Sequence, residues 1–138
     1  MDLIETFHAE NTLNDMKDDT SWNINMEHAV KSRFHSYKKN YSAEYDSCFL
    51  NLDEVIKDLN DGITIEEIVR DKNYLRNEKA GIYRIGQTGI RNAKETRLYF
   101  GLYSTAKEII ILTIGDKSTQ QPDLNQSRKT FKPIFMEK

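Results

Sequence analysis

Three cations and two tyrosines in the C-terminal half of the chain stand at spacings that would gather them on one surface. Residues 97–103 read Arg-Leu-Tyr-Phe-Gly-Leu-Tyr. In a strand alternate side chains share a face, so Arg97, Tyr99, Gly101 and Tyr103 fall on one side, and Leu98, Phe100 and Leu102 on the other. Arg84, between Tyr83 and Ile85, is placed to join the Arg/Tyr side from a neighbouring strand. The apolar run at residues 109–114 leads into Gly115-Asp116-Lys117-Ser118-Thr119-Gln120-Gln121, so that Lys117, Ser118 and Thr119 leave a buried strand together. Gly115 is expected to allow a sharp turn there. Arg91 and Lys94 lie in the loop between the strands of Arg84 and Arg97, and Gln87 at its start. Guanidinium groups fork onto phosphate oxygens and tyrosines offer platforms for unpaired bases, a combination that suits RNA. RNA cleavage then needs only attack by the RNA's own 2′-hydroxyl, neutralisation of charge on the phosphoryl oxygens, and proton transfer.

The elements that must position these residues follow from periodicity. Residues 82–85, continuing towards Gln87, with 97–103 and 108–114 read as an antiparallel meander, residues 104–107 linking the last two strands. Before it, Trp22, Ile24 and Met26 alternate with polar residues as a first strand. Residues 28–39 carry Val30, Phe34 and Tyr37 on one helical side. The clearest helix is expected from an N-cap at Ser42, with Tyr45, Cys48, Phe49, Leu52, Val55, Ile56 and Leu59 at helical spacing and Gly62 ending it. Thr64-Ile65-Glu66-Glu67 predicts a capping box and a further short helix. Residues 70–79 look charged and irregular, and Pro122-Asp123 starts a short closing helix. The order of a strand, two or three helices, an antiparallel meander and a short closing helix is therefore α+β, with Leu98, Phe100 and Leu102 expected to pack on the helices and the Arg/Tyr face left open.

Arg97-Leu98-Tyr99-Phe100-Gly101, a short loop, the apolar strand and the Gly-Asp-Lys-Ser-Thr-Gln-Gln segment together resemble the C-terminal half of the RelE/ParE toxin superfamily. The likeness is greatest to HigB-like killer proteins of bacterial toxin–antitoxin modules, and it spans residues 81–131. It implies N-terminal helices packed on one face of a curved, mainly antiparallel sheet whose opposite, concave face is exposed, and an mRNA endoribonuclease acting at the ribosome, silenced by a cognate antitoxin protein and needing no metal or organic cofactor. Arg97 stands where that resemblance puts the catalytic arginine, with Arg84 as a basic strand position and Lys117 as the cation after the last strand. The chain departs from the pattern in three respects. His8, His28 and His35 all precede the meander, which would leave proton transfer to Tyr, Lys or Asp116; Gly86 stands where some relatives have a lysine; and the loop at 88–96 is long. A ParE-like toxin that inhibits DNA gyrase without catalysis, or a repurposed binding protein of the same fold, is the alternative. On the residues alone, an ion pair of Arg97 with Glu95 or Asp116 is the simpler reading.

Composition sets the wider bounds. With 138 residues, 38% hydrophobic and 30% charged, the chain reads as one domain without a membrane span. One cysteine, Cys48, fits a reducing cytoplasm and sits on an apolar helix face as a core residue. No metal-ligand spacing and no Gly-rich phosphate loop stand out. Residues 1–20 hold six acids and one base, whereas the other residues hold 19 bases and 16 acids. The first 20 residues thus read as a mobile acidic extension, with a short helix around Leu3, Ile4 and Phe7, ahead of the domain at 21–138. That extension could shield the basic body, recruit a partner, or have no role.

Overall fold

A computed structural model describes residues 21–91 and 93–136, so the extension at 1–20 lies outside the described residues. Five strands form one sheet in the order β1-β5-β4-β3-β2. They are β1 (Asn23–Asn25), β2 (Leu75–Asn77), β3 (Ile82–Gly86), β4 (Thr96–Tyr103) and β5 (Glu108–Asp116). β1 runs parallel to β5 and every other pair is antiparallel. Four α-helices complete the described α+β fold: α1 (Lys31–Asn40), α2 (Ser42–Asn60), α3 (Ile65–Asp71) and α4 (Gln120–Met136). None of them is long and apolar enough to cross a membrane.

The apolar stripe expected of α2 is the centre of the larger core. Tyr45, Cys48, Phe49, Leu52 and Val55 are almost fully buried, and they meet Leu98, Phe100, Ile109, Ile111 and Ile114 from the sheet. Cys48 is a core residue; its sulfur lies 3.8 Å from the Ile85 carbonyl, and burial pushes its thiol pKa up to about 12. Ser42 does not cap this helix. A single residue, Tyr41, joins α1 to α2: its N–H bonds the Tyr37 carbonyl, and its own carbonyl accepts from Tyr45. Ser42 is thereby drawn into the first turn. Thr64 does cap α3, accepting from the Glu67 N–H at 3.2 Å.

Three features depart from the expectations. The segment at 70–79 contains edge strand β2, whose three residues bury only Leu75 and are too few to display an alternation. The closing helix is 17 residues long, introduced by a 3-10 turn at Lys117–Thr119 that Asp116 caps. Most important, the face expected to be open is covered by α4. Ile82, Tyr99, Ile110, Leu112, Leu124 and Phe131 make a second core between that helix and the sheet. Alternation along β5 serves both cores, and a bulge opposite Tyr99 and Phe100 shifts the register so that Ile114 joins the larger one.

Gly115 does not turn the chain. It lies within β5, opposite Arg97, and a side chain there would run into the Asp123 carboxylate, Thr119 Oγ1 at 2.6 Å and an Arg33 nitrogen at 2.8 Å. Gly115→Ala is expected to destabilise the protein by about 1–3 kcal/mol, because those groups hold the start of α4 and must move apart. Urea denaturation checks this: the midpoint should fall at unchanged slope.

Candidate functional site

The register of β2, β3 and β4 brings three arginines to one end of the sheet. Arg76 lies directly opposite Arg84, and Arg97 pairs with Gly86, two residues beyond Arg84. All three share the face that α4 covers further along the strands. Here only the first residue of α4, Gln120, comes near, and a cleft of about 280 Å³ opens between Arg76, Arg84, Gly86, Glu95 and Arg97. A Cβ on Gly86 would meet nothing nearer than the Thr96 carbonyl at 3.8 Å, so the floor of the cleft is clear.

Each arginine is held differently. Arg84 Nε pairs with the Glu78 carboxylate at 3.1 Å, and its Nη1 donates to the Gln120 side chain at 3.0 Å. Burial is the main force lowering its pKa, and the neighbouring Arg97 and Arg76 add to it against Glu78. Positive charge is therefore crowded and poorly hydrated at this point. Arg97, whose side chain is 15% exposed, meets Glu95 at 3.1 Å, and Glu95 is 58% exposed. The ion pair that was the simpler reading of Arg97 exists, with Glu95 and not Asp116. Arg76 is exposed at the cleft's outer edge.

The other candidates are placed apart from this group or are already engaged. Tyr99 is fully buried beneath α4, which removes it as a stacking platform; burial, with Asp123 nearby, pushes its phenol up to about 12. Tyr103 lies six residues along β4 from Arg97, about 20 Å away at strand rise, and packs against the second core. Gln87 lines the cleft, but it clasps the loop: its oxygen accepts from the Thr96 N–H at 2.7 Å and its nitrogen donates to the Lys94 carbonyl at 3.1 Å. Ser118 and Thr119 close the cap of the 3-10 turn on Asp116. Lys94 pairs with Asp116 at 3.2 Å and lies over the Tyr41 ring. Arg91 is exposed on the loop and Lys117 on the 3-10 turn, neither lining the cleft. His28 and His35 do not line it either. Of the three residues expected to be catalytic, then, Arg84 and Arg97 come together and Lys117 stays outside.

Asp116 is a structural hub and not a proton acceptor. Burial opposes its ionisation, but bonds from Ser118, Lys94 and Tyr37 outweigh that and hold the carboxyl well below the usual range. With the folded pKa depressed, its stabilising contribution is complete above the unfolded value of about 4 and is lost as pH falls through that value towards the folded one. Asp116→Asn is accordingly expected to lower stability at pH 7 and to flatten the acid limb below about pH 4, measured as denaturation midpoints across the series.

The chain matches no protein-family model and no curated protein. The cleft therefore has to be read from its own chemistry. Sequence reasoning missed Arg76, Glu78, Glu95 and Gln120 as members of the site. Arg76 sits in a strand too short to detect, and Gln120 reaches Arg84 from a helix that the sequence places only after Pro122. Glu95 reads from the sequence only as an ion-pair partner for Arg97, and its position two residues before that arginine is the signal that places it in the cleft. Among the described residues there is no group of three or more His, Cys, Asp or Glu side chains that could hold a metal.

Proposed function

We propose that the arginine cleft receives a phosphate of single-stranded RNA, and that the protein is a toxin of the RelE/HigB kind acting on mRNA at the ribosome and silenced by an antitoxin protein. The observation that carries this reading is the convergence of Arg76, Arg84 and Arg97 from three adjacent strands on one polar cleft. An anion entering there would relieve the mutual repulsion of the cations and would meet, in Arg84 and Arg97, donors that are already largely buried and held in place.

In the reaction so assigned, the 2′-oxygen attacks the adjacent phosphorus and the bond to the 5′-oxygen breaks, giving a 2′,3′-cyclic phosphate and a 5′-hydroxyl end. Arg84 and Arg97 stabilise the charge that builds on the phosphoryl oxygens. Glu95, the exposed carboxylate in the cleft, takes the 2′-hydroxyl proton, and water protonates the leaving oxygen. The burial of Tyr99 favours a second reading, in which the protein grips its target without cutting it, as ParE-like toxins do with DNA gyrase.

Equilibrium binding to a single-stranded RNA over a salt series tests the proposal. Arg97→Ala should weaken binding and reduce the magnitude of the log–log salt slope by about 0.7–1, one phosphate contact. Identical affinity and slope for wild type and variant would remove the cleft from the RNA-binding surface.

A further inference from the structure

A second concavity lies on the helical side of the sheet, remote from the arginine cleft in its lining. It is an open groove of about 660 Å³ between the end of β1, helix α1 and the first turn of α2. Its lining joins Met26, Phe34 and Tyr45 to the basic side chains of Lys31, Lys38 and Lys39 and to His35. Helix α1, Lys-Ser-Arg-Phe-His-Ser-Tyr-Lys-Lys-Asn, contains no acid at all. Its Arg33 turns towards α4, where it pairs with Asp123 at 3.2 Å. A groove that joins apolar and basic side chains fits an acidic amphipathic segment, and this chain carries one.

Residues 1–20 hold six acids and one base, with Leu3, Ile4 and Phe7 spaced to share one side of a helical turn. They lie outside the described residues and join the fold at Ser21, just before β1; Met26, just after β1, is in the groove. We propose that this N-terminal segment seats Leu3, Ile4 and Phe7 in the α1 groove, with its acids facing Lys31, Lys38 and Lys39. Reach is no obstacle, since the residues between Phe7 and Ser21 span up to about 45 Å, against a radius of gyration of about 13 Å for a domain of this size. Tethering also sets an effective concentration on the order of millimolar, which favours the chain's own segment over a free peptide of equal affinity. Docking neutralises the lysines of α1 and leaves the arginine cleft as the place where polyanions are attracted. The proposal stands independently of what that cleft binds.

The test uses the full chain with benzoylphenylalanine in place of Phe7, irradiated at low micromolar concentration and mapped by mass spectrometry. An intramolecular cross-link to Met26 or to α1 is expected, and the combined variant Lys31→Glu, Lys38→Glu, Lys39→Glu should lower occupancy about tenfold. Cross-links to other parts of the chain would overturn the proposal. So would cross-linked dimers, which would make a second copy the occupant, or the absence of any cross-link. A second readout is amide exchange of α1, which should become faster in Leu3→Asp, Phe7→Asp while α4 is unaffected; unchanged exchange in α1 would likewise contradict docking.

Discussion

Arg97→Ala is expected to slow RNA cleavage by about 10²–10³-fold while leaving the fold in place. The two halves of this expectation have separate physical origins. The loss of rate follows from the proposed mechanism, in which Arg97 is one of two guanidinium groups that face the developing phosphoryl charge. The tolerance of the fold follows from the pairing, because Arg97 gives up a bond to Glu95, which is more than half exposed and returns to water at little cost. Arg84→Ala is a less clean experiment, since it strips both Glu78 and Gln120 of a partner and so disturbs the contact between β3 and α4. Arg91→Ala is the control of equal charge change. Its side chain is exposed on the loop outside the cleft, and its cleavage rate should stay close to wild type. Single-turnover kinetics on a defined RNA, beside thermal melts of each variant, separates these outcomes.

Phe131→Ala should have the largest effect on stability, a loss of about 3–5 kcal/mol, which corresponds to a fall in Tm of roughly 10–20 °C. Phe131 is fully buried, lies against Phe135 with ring centroids 5.6 Å apart, and covers the backbone at Gly101 so closely that no Cβ fits there. It is the largest fully buried side chain that α4 contributes to the second core. Truncation leaves a cavity whose lining strands cannot collapse, since β4 is held on both sides by β3 and β5. The contact gives a further check. Gly101→Ala alone should be destabilising, but much less so when Phe131 is already alanine, a coupling that calorimetry of the double-mutant cycle measures.

These two residues also mark how far the sequence could be read. The alternation in 97–103 correctly divided the strand into two faces, and Leu98, Phe100 and Leu102 do pack on the helical core. The helical spacing from Tyr45 to Leu59 and the Thr64 cap were legible for the same reason, that a local period or a local hydrogen bond defines them. What covers the other face of β4 was not legible. The buried stripe of α4 includes Asp123 and Ser127 beside Leu124 and Phe131, so its apolar signal is diluted, and Pro122 marked only a start. A short closing helix leaves Tyr99 to solvent, whereas the 17-residue helix puts it in a core. Gly115 was misread in the same way: its need is for space beneath Asp123, a contact made by a residue eight positions further on. The site followed suit. Arg84 and Arg97 were found because strand pairing could be inferred, whereas Arg76 and Gln120 enter through elements whose existence depends on tertiary packing.

The most direct test of the central claim is to map mRNA 5′ ends in a cell-free translation reaction supplied with the wild-type protein or with Arg97→Ala. New, discrete 5′ ends that appear with the wild type and vanish with the variant are the expected result. Intact transcripts in the presence of folded wild-type protein, whether translation proceeds or stalls, would contradict the assignment of a ribonuclease to the arginine cleft.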